Sequence, residues 1–140
     1  MIQILLVEDD EGDALMTCEA LRDSNSANQV HVVRDGASAL EFLYKRGDYA
    51  QVVTPDLVLL DLNLPRVHGF KVLATVKQDP DLRPIPVVVL TTSEAEEDVR
   101  RSYDLHANAY VLKPTDFERL AEVIRAIDEF FAAVARLPHH

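Results

Sequence analysis

The chain has 140 residues, 14 basic against 24 acidic, and a net charge of −10; that balance disfavours partners held through phosphate-backbone charge, so no nucleic-acid binding is expected. At this length one domain is the default, and roughly 68–70% of the unfolded surface can be buried without a staple. The single cysteine, Cys18, excludes an internal disulfide and a cysteine-based zinc site, which fits the cytoplasm, and no apolar run approaches the roughly 18 residues of a membrane helix.

Ile2 to Val7 is a short β-type run stopped by Glu8-Asp9-Asp10, after which Gly12-Asp13 opens a helical pattern through Leu15, Ala20 and Leu21. Cys18 is expected to pack within that helix, and Asp10, Glu11 and Asp13 to serve as solvated charge favourable to its N-terminus. Val30 to Val33 reads as a second strand, followed after Asp35-Gly36 by a helix bearing Ala39, Leu40 and Leu43. Leu57 to Leu60 is apolar at every position and reads as a strand buried on both faces. Asp61-Leu62-Asn63-Leu64-Pro65 is the loop beyond it, and Phe70, Val72, Leu73 and Val76 mark a helix after Gly69. Ile85 to Leu90 is a fourth strand, and Thr91-Thr92-Ser93 are suited to capping a helix from Glu94 to about Tyr103. A fifth strand, Ala109 to Leu112, ends at Lys113-Pro114, and a last helix starts near Asp116. Five strands alternating with five helices predict an α/β protein with a doubly wound parallel sheet.

In such a sheet ligands bind beyond the carboxyl ends of the strands. Those ends carry Glu8 and Asp9 on the first strand, Asp61 on the third, Thr91 on the fourth and Lys113 on the fifth. Three acids held together repel, so one is protonated or a cation sits among them. With only oxygen donors that cation would be hard: Mg²⁺, with Mn²⁺ as a substitute. A lysine and a hydroxyl aimed at the same point suit the oxygens of a phosphoryl group in transfer, and Asp61, at the end of the most apolar strand, is the best nucleophile candidate. His31, His68 and His106 have no partner at metal-ligand spacing and read as surface residues, and His139-His140 as a tail.

Leu5 to Asp10, Leu59 to Pro65 with Gly69, Val88 to Thr91, and Tyr110 to Pro114 together resemble the receiver domain of two-component response regulators, over about residues 2–127. More narrowly, Leu90 to Asp98 with Ser102 to Asn108 resembles the single-domain regulators that serve phytochrome-type histidine kinases. The resemblance implies a flavodoxin-like fold of strand order 2-1-3-4-5, one receiver domain over residues 1–140, and a histidine kinase, a bacteriophytochrome among the candidates, as partner. Asp61 would be the phosphoacceptor, Asp9 a direct metal ligand, Glu8 a ligand through water, and Asn63 a ligand through its backbone carbonyl. Thr91 would hydrogen-bond the phosphoryl group, Lys113 would pair with it, and Tyr110 would turn inward as Thr91 moves. The first acid is Glu8 where many receivers have Asp, which leaves its metal contact open. The resemblance also raises the expectation of a cis Lys113-Pro114 bond above the about 5–6% usual before proline.

A phosphatase or phosphotransferase of the haloacid dehalogenase kind shares a strand-end Asp, Thr, Lys and Mg²⁺, but needs an acid two residues after the nucleophile, where this chain has Asn63. A flavodoxin-like FMN binder would meet repulsion from Glu8-Asp9-Asp10. A phosphoacceptor that signals through protein contacts, not an enzyme acting on a separate substrate, is the expectation. Phe117, Leu120, Ile124, Ile127, Phe131 and Val134, flanked by Val123, Phe130 and Leu137, predict a continuous helix from Asp116 to Arg136. About 21 residues span roughly 31 Å, so residues 128–140 would form an overhanging end and tail. Phe130, Phe131 and Leu137 would then form a homodimer contact, the alternative being a monomer that folds this end back over Val52–Asp56.

Overall fold

The computed structural model describes residues 1–24 and 26–138; the expected His139-His140 tail lies outside them. Five parallel strands, β1 (Ile2–Val7), β2 (Asn28–Val33), β3 (Leu57–Leu60), β4 (Val87–Thr91) and β5 (Ala109–Leu112), form one sheet in the order β2-β1-β3-β4-β5. Between them run α1 (Glu11–Arg22), α2 (Gly36–Leu43), α3 (Gly69–Gln78) and α4 (Glu96–Asp104), and α5 (Phe117–Glu129) follows β5. The fold is the flavodoxin-like receiver architecture with its expected strand order.

The unbroken apolar runs have a direct cause. Leu5, Val7, Val58, Leu60, Val87 and Val89 bury against α2 and α3, while Ile4, Leu6, Leu57, Leu59, Val88 and Leu90 bury against α1 and α5. Each central strand therefore needs a hydrophobic side chain at every position. Helix α4 is anchored differently: its first turn carries Glu96, Glu97 and Asp98, and the residue it buries is Ser102, whose hydroxyl bonds back to the Asp98 carbonyl at 2.7 Å. It starts two residues later than the sequence suggests. Ser93 does not cap it from N-cap position; its hydroxyl accepts the Ala95 N–H at 3.3 Å and donates to Asp98 at 2.6 Å, shaping the turn that precedes the helix.

Glycine matters most where the chain crosses itself. A Cβ at Gly69 would lie 2.4 Å from the Asp61 carbonyl oxygen and 2.6 Å from the Leu62 Cα, and one at Gly36 would lie 1.9 Å from the Val67 carbonyl oxygen. The β3–α3 loop is thus closed over its own start, with the Gly69 N–H bonded to the Leu62 carbonyl at 2.8 Å. Gly69→Ala should destabilise the fold by about 2–4 kcal/mol, because the clash is with backbone that cannot rotate away. A loss under about 1 kcal/mol in urea denaturation would contradict this reading of the loop.

The C-terminal region departs from expectation. Helix α5 stops at Glu129, residues Phe130–Val134 make a single π-helical turn, and Ala135 is extended at φ −80°, ψ 151°. The predicted continuous helix from Asp116 to Arg136, with its overhanging end, does not form. Phe131 and Leu137 pack against the α1/α5 side of the core and line a recess with Met1, Ile2 and Asp56, whereas Phe130 stays 52% exposed. The last turn of α5 also carries Asp128, buried at 1% exposure, which accepts hydrogen bonds from the Ser24 hydroxyl at 2.6 Å, the Ser26 hydroxyl, and the Asn28 amide at 3.4 Å. This clamp ties α5 to the α1–β2 connection. The Lys113-Pro114 peptide is trans. No helix among the described residues is long and apolar enough to cross a membrane.

Candidate functional site

Three ladder bonds carry the sheet just past its strands and set the site residues in place. The Glu8 N–H reaches the Val33 carbonyl at 3.0 Å, the Asp61 N–H the Val7 carbonyl at 3.1 Å, and the Lys113 N–H the Thr91 carbonyl at 2.7 Å. One carboxylate oxygen each from Glu8, Asp9 and Asp61 then lies within 4.8 Å of the others. Four strands of the sheet thus converge on one edge, as their carboxyl-terminal residues suggest.

The three acids are held differently. Glu8 is buried; one oxygen accepts the Asp10 N–H at 3.2 Å and the other the Lys113 ammonium. The Asp61 side chain is 11% exposed, and its Oδ1 accepts the Leu62 N–H at 2.7 Å. Asp9 is exposed at the mouth of the cluster. Asn63 is exposed on the loop beyond Asp61. The carbonyl of its neighbour Leu62 is taken up by the Leu64 and Gly69 amides, but Asn63's own carbonyl accepts no hydrogen bond among the described residues.

Lys113 is the counter-ion of the cluster. Its buried ammonium donates to Glu8, to Asp13 Oδ2 at 3.0 Å and to Asp61 Oδ2 at 3.4 Å. Burial alone would pull its pKa down, but the bonds to Glu8 and Asp13 and the Asp61 charge outweigh it and hold the ammonium charged. Asp13 is the site residue that sequence reasoning missed. It occupies the first turn of α1 as expected, with its N–H bonded to the N-cap Asp10 at 2.8 Å, yet its carboxylate turns to a lysine 100 positions away. The only available signal was spacing: Asp13 lies about one helical turn beyond Asp9 and Asp10, so its side chain can reach back over the same edge.

Burial pushes the Glu8 carboxyl up to about 7, the Asp61 charge adds to this, and the Lys113 ammonium opposes it. The oxygen-only donor set fits a hard divalent cation, with Glu8, Asp9 and Asp61 the carboxylates that would hold it. A protonated Glu8 cannot serve such an ion, so binding below pH 7 must expel a proton. Divalent-metal affinity should therefore be flat above about pH 7.5 and fall by up to about tenfold per pH unit below 7. Calorimetric Mg²⁺ titrations between pH 5.5 and 8 check this, and Glu8→Gln should flatten the dependence. A slope unchanged in that variant would place the titrating group elsewhere.

Thr91 closes β4, fully buried, its hydroxyl 3.5 Å from the Ser93 N–H. Tyr110 on β5 is half-buried; its hydroxyl donates to the Ser93 carbonyl at 2.9 Å, and its N–H to the Tyr103 hydroxyl at 3.1 Å. Burial raises the Tyr110 phenol, helped by the charges of Asp98 and Asp61. The phenol of β5 and the β4–α4 turn that follows Thr91 are thus directly joined.

Comparison with known proteins agrees with the fold. Response regulator Rcp1 of Synechocystis sp. is 44% identical over 135 residues, covering 96% of this chain and 92% of the relative. The crystal structure of the Mn²⁺-bound form of Rcp1 superposes with a TM-score of 0.95 at 43% identity, covering 99% of this chain and 100% of that one. The phosphorylated cyanobacterial phytochrome response regulator RcpA also superposes at 0.95, with 46% identity over 99% of each chain. The response regulator receiver domain family matches residues 4–125, so the chain belongs to the response regulator receiver family.

Proposed function

We propose that this protein is a phosphoacceptor of a two-component pathway: a histidine kinase donates a phosphoryl group to Asp61, and the output is a change of protein partner. The observation that carries the reading is the convergence of Glu8, Asp9, Asp61, Thr91 and Lys113 on one sheet edge. An Asp61 oxygen attacks phosphorus, the phosphorus–nitrogen bond to the donor histidine breaks, and the imidazole keeps the electron pair and takes up a proton. When bound, Mg²⁺ supplies positive charge to the phosphoryl oxygens, and Mn²⁺ does so in its place. Asp9, exposed and free to reorient, is the direct ligand; Glu8, already bonded to Lys113 and the Asp10 amide, acts at one remove. The Asn63 carbonyl completes the protein donors.

In this reading Thr91 hydrogen-bonds the transferred group, Lys113 turns from Glu8 and Asp13 toward it, and Tyr110 exchanges its bond to the Ser93 carbonyl for an inward position. The protein catalyses at most its own phosphorylation and dephosphorylation. Likeness to RcpA and to the bacteriophytochrome response regulators of known structure points to a phytochrome-type kinase, and hence to the cytoplasm. The test is phosphotransfer from such a kinase, or from acetyl phosphate, with and without Mg²⁺. One added phosphoryl mass in the presence of metal supports the proposal, and none under any donor refutes it.

Residues 1–140 act as one receiver domain in this scheme, and the C-terminal region pairs two copies. Phe130 and Val134 are both exposed beside the half-buried Phe131, an apolar strip that a second copy would cover. Sedimentation at tens of micromolar should give a dimer for the wild type and a monomer for Phe130→Glu. A wild type that stays monomeric with and without phosphorylation would exclude the pairing.

A further inference from the structure

The charge of −10 is not spread evenly over the surface. An open recess of about 370 Å³ between α3 and α4 is lined by His68, Phe70, Lys71, Ala74, Arg101 and Leu105, with no acidic residue among them. None of the three basic side chains forms an ion pair among the described residues. Helix α4 bears Glu97, Asp98 and Asp104 on either side of Arg101, yet none of them comes within ion-pairing distance of it.

Two of the three are also held in place. The Arg101 guanidinium lies over the Phe70 ring, 4.5 Å from its centroid, across the gap between the two helices. The His68 ring stands 5.1 Å from the same ring, and its Nδ1 accepts the Phe70 N–H at 3.1 Å. A neutral His68 therefore carries its proton on Nε2, leaving that nitrogen a donor. Holding both groups in advance lowers the ordering cost that a partner must meet.

We infer that this recess is a docking surface for an acidic segment of a partner protein, one that seats an apolar side chain on Phe70, Ala74 and Leu105 and presents carboxylates to His68, Lys71 and Arg101. The occupant follows from two features together. Charge complementarity selects an anionic partner, because three unpaired donors stand together on an otherwise acidic protein. The apolar floor within a basic rim selects a peptide over a bare anion, since it has the anatomy of a small protein interface and an inorganic ion would leave that floor unused.

The probe is a blocked peptide, Glu-Glu-Leu-Glu-Glu, added to the full chain labelled with ¹⁵N. Shifts confined to amides of residues 68–74 and 101–105, with binding weakened at least tenfold by Lys71→Glu/Arg101→Glu and by Leu-to-Ser replacement in the peptide, support the inference. Arg101→Gln, a milder change should the double variant fold poorly, should weaken binding several-fold. Shifts elsewhere, or shifts that persist in these variants, overturn it. So does equal binding of inorganic phosphate, which would make the recess a plain anion site, or equal binding of the Ser peptide. Phosphorylation of Asp61 by acetyl phosphate should be unchanged in all of these variants, so failure of the docking surface and failure of the phosphoacceptor reading are read separately.

Discussion

Asp61→Asn is expected to gain no phosphoryl mass after incubation with acetyl phosphate and Mg²⁺, under conditions where the wild type gains one. An amide oxygen is uncharged and a far weaker nucleophile than a carboxylate, so transfer should fall below detection instead of merely slowing. The substitution should cost the fold little. Asn can still accept the Leu62 N–H through its side-chain oxygen, and the bond it loses to Lys113 is the longest of that ammonium's three, at 3.4 Å. A stability change within about 1 kcal/mol is expected. Mass spectrometry and urea denaturation of the same preparation separate the chemical effect from a structural one. Full labelling of the variant would move the acceptor to another residue, with the neighbouring acids Asp9 and Asp13 the first to examine.

Lys113→Ala should have the largest effect on stability. Removing the ammonium leaves Glu8 buried beside Asp61 and Asp13 with no counter-ion, and breaking a buried pair from one side costs about 3–5 kcal/mol. The sign of the pH dependence follows. Glu8 already titrates near 7 with Lys113 present, and loss of that positive charge raises it further, so at pH 6 the carboxyl is neutral and the penalty shrinks. Denaturation at pH 6 and pH 8 should show the larger loss at pH 8, and saturating Mg²⁺ should restore part of it by binding the folded state. Phosphorylation should still occur, while the accompanying change in amide exchange over residues 103–110 should be lost. A penalty under about 1 kcal/mol at pH 8 would show that Lys113 does not balance the cluster.

The fold and most of the candidate site were readable from the residues, for a reason visible in β1, β3 and β4. Each is a short apolar run cut off by polar residues, and a parallel sheet covered on both sides demands that pattern. The same runs end at Glu8, Asp9, Asp61 and Thr91, so locating the strands also located these residues, and Lys113 follows the edge strand β5 in the same way. The C-terminal helix was misread because periodicity reports which side chains are apolar and not where the backbone turns. Phe131 and Leu137 are half-buried, brought back against the core by a π-helical turn and an extended segment. The partners of Asp13 and Asp128 were not legible for a related reason. Each is bound by groups about 100 positions away, Lys113 for one and Ser24, Ser26 and Asn28 for the other, and local pattern carries no trace of such pairings.

The recess shared by Met1, Ile2, Asp56, Leu137 and Pro138 has a practical consequence for observing this protein at work. It lies where β1 begins, whereas Asp61 lies beside the end of that strand, and six residues of strand measure roughly 20 Å. A fluorophore or surface tether attached near either Met1 or Pro138 therefore stands a whole strand's length from the Asp61 carboxylate. Because the two positions line one recess, a single immobilisation chemistry on that side would present the Asp61 edge and the α3–α4 recess to solution in one orientation.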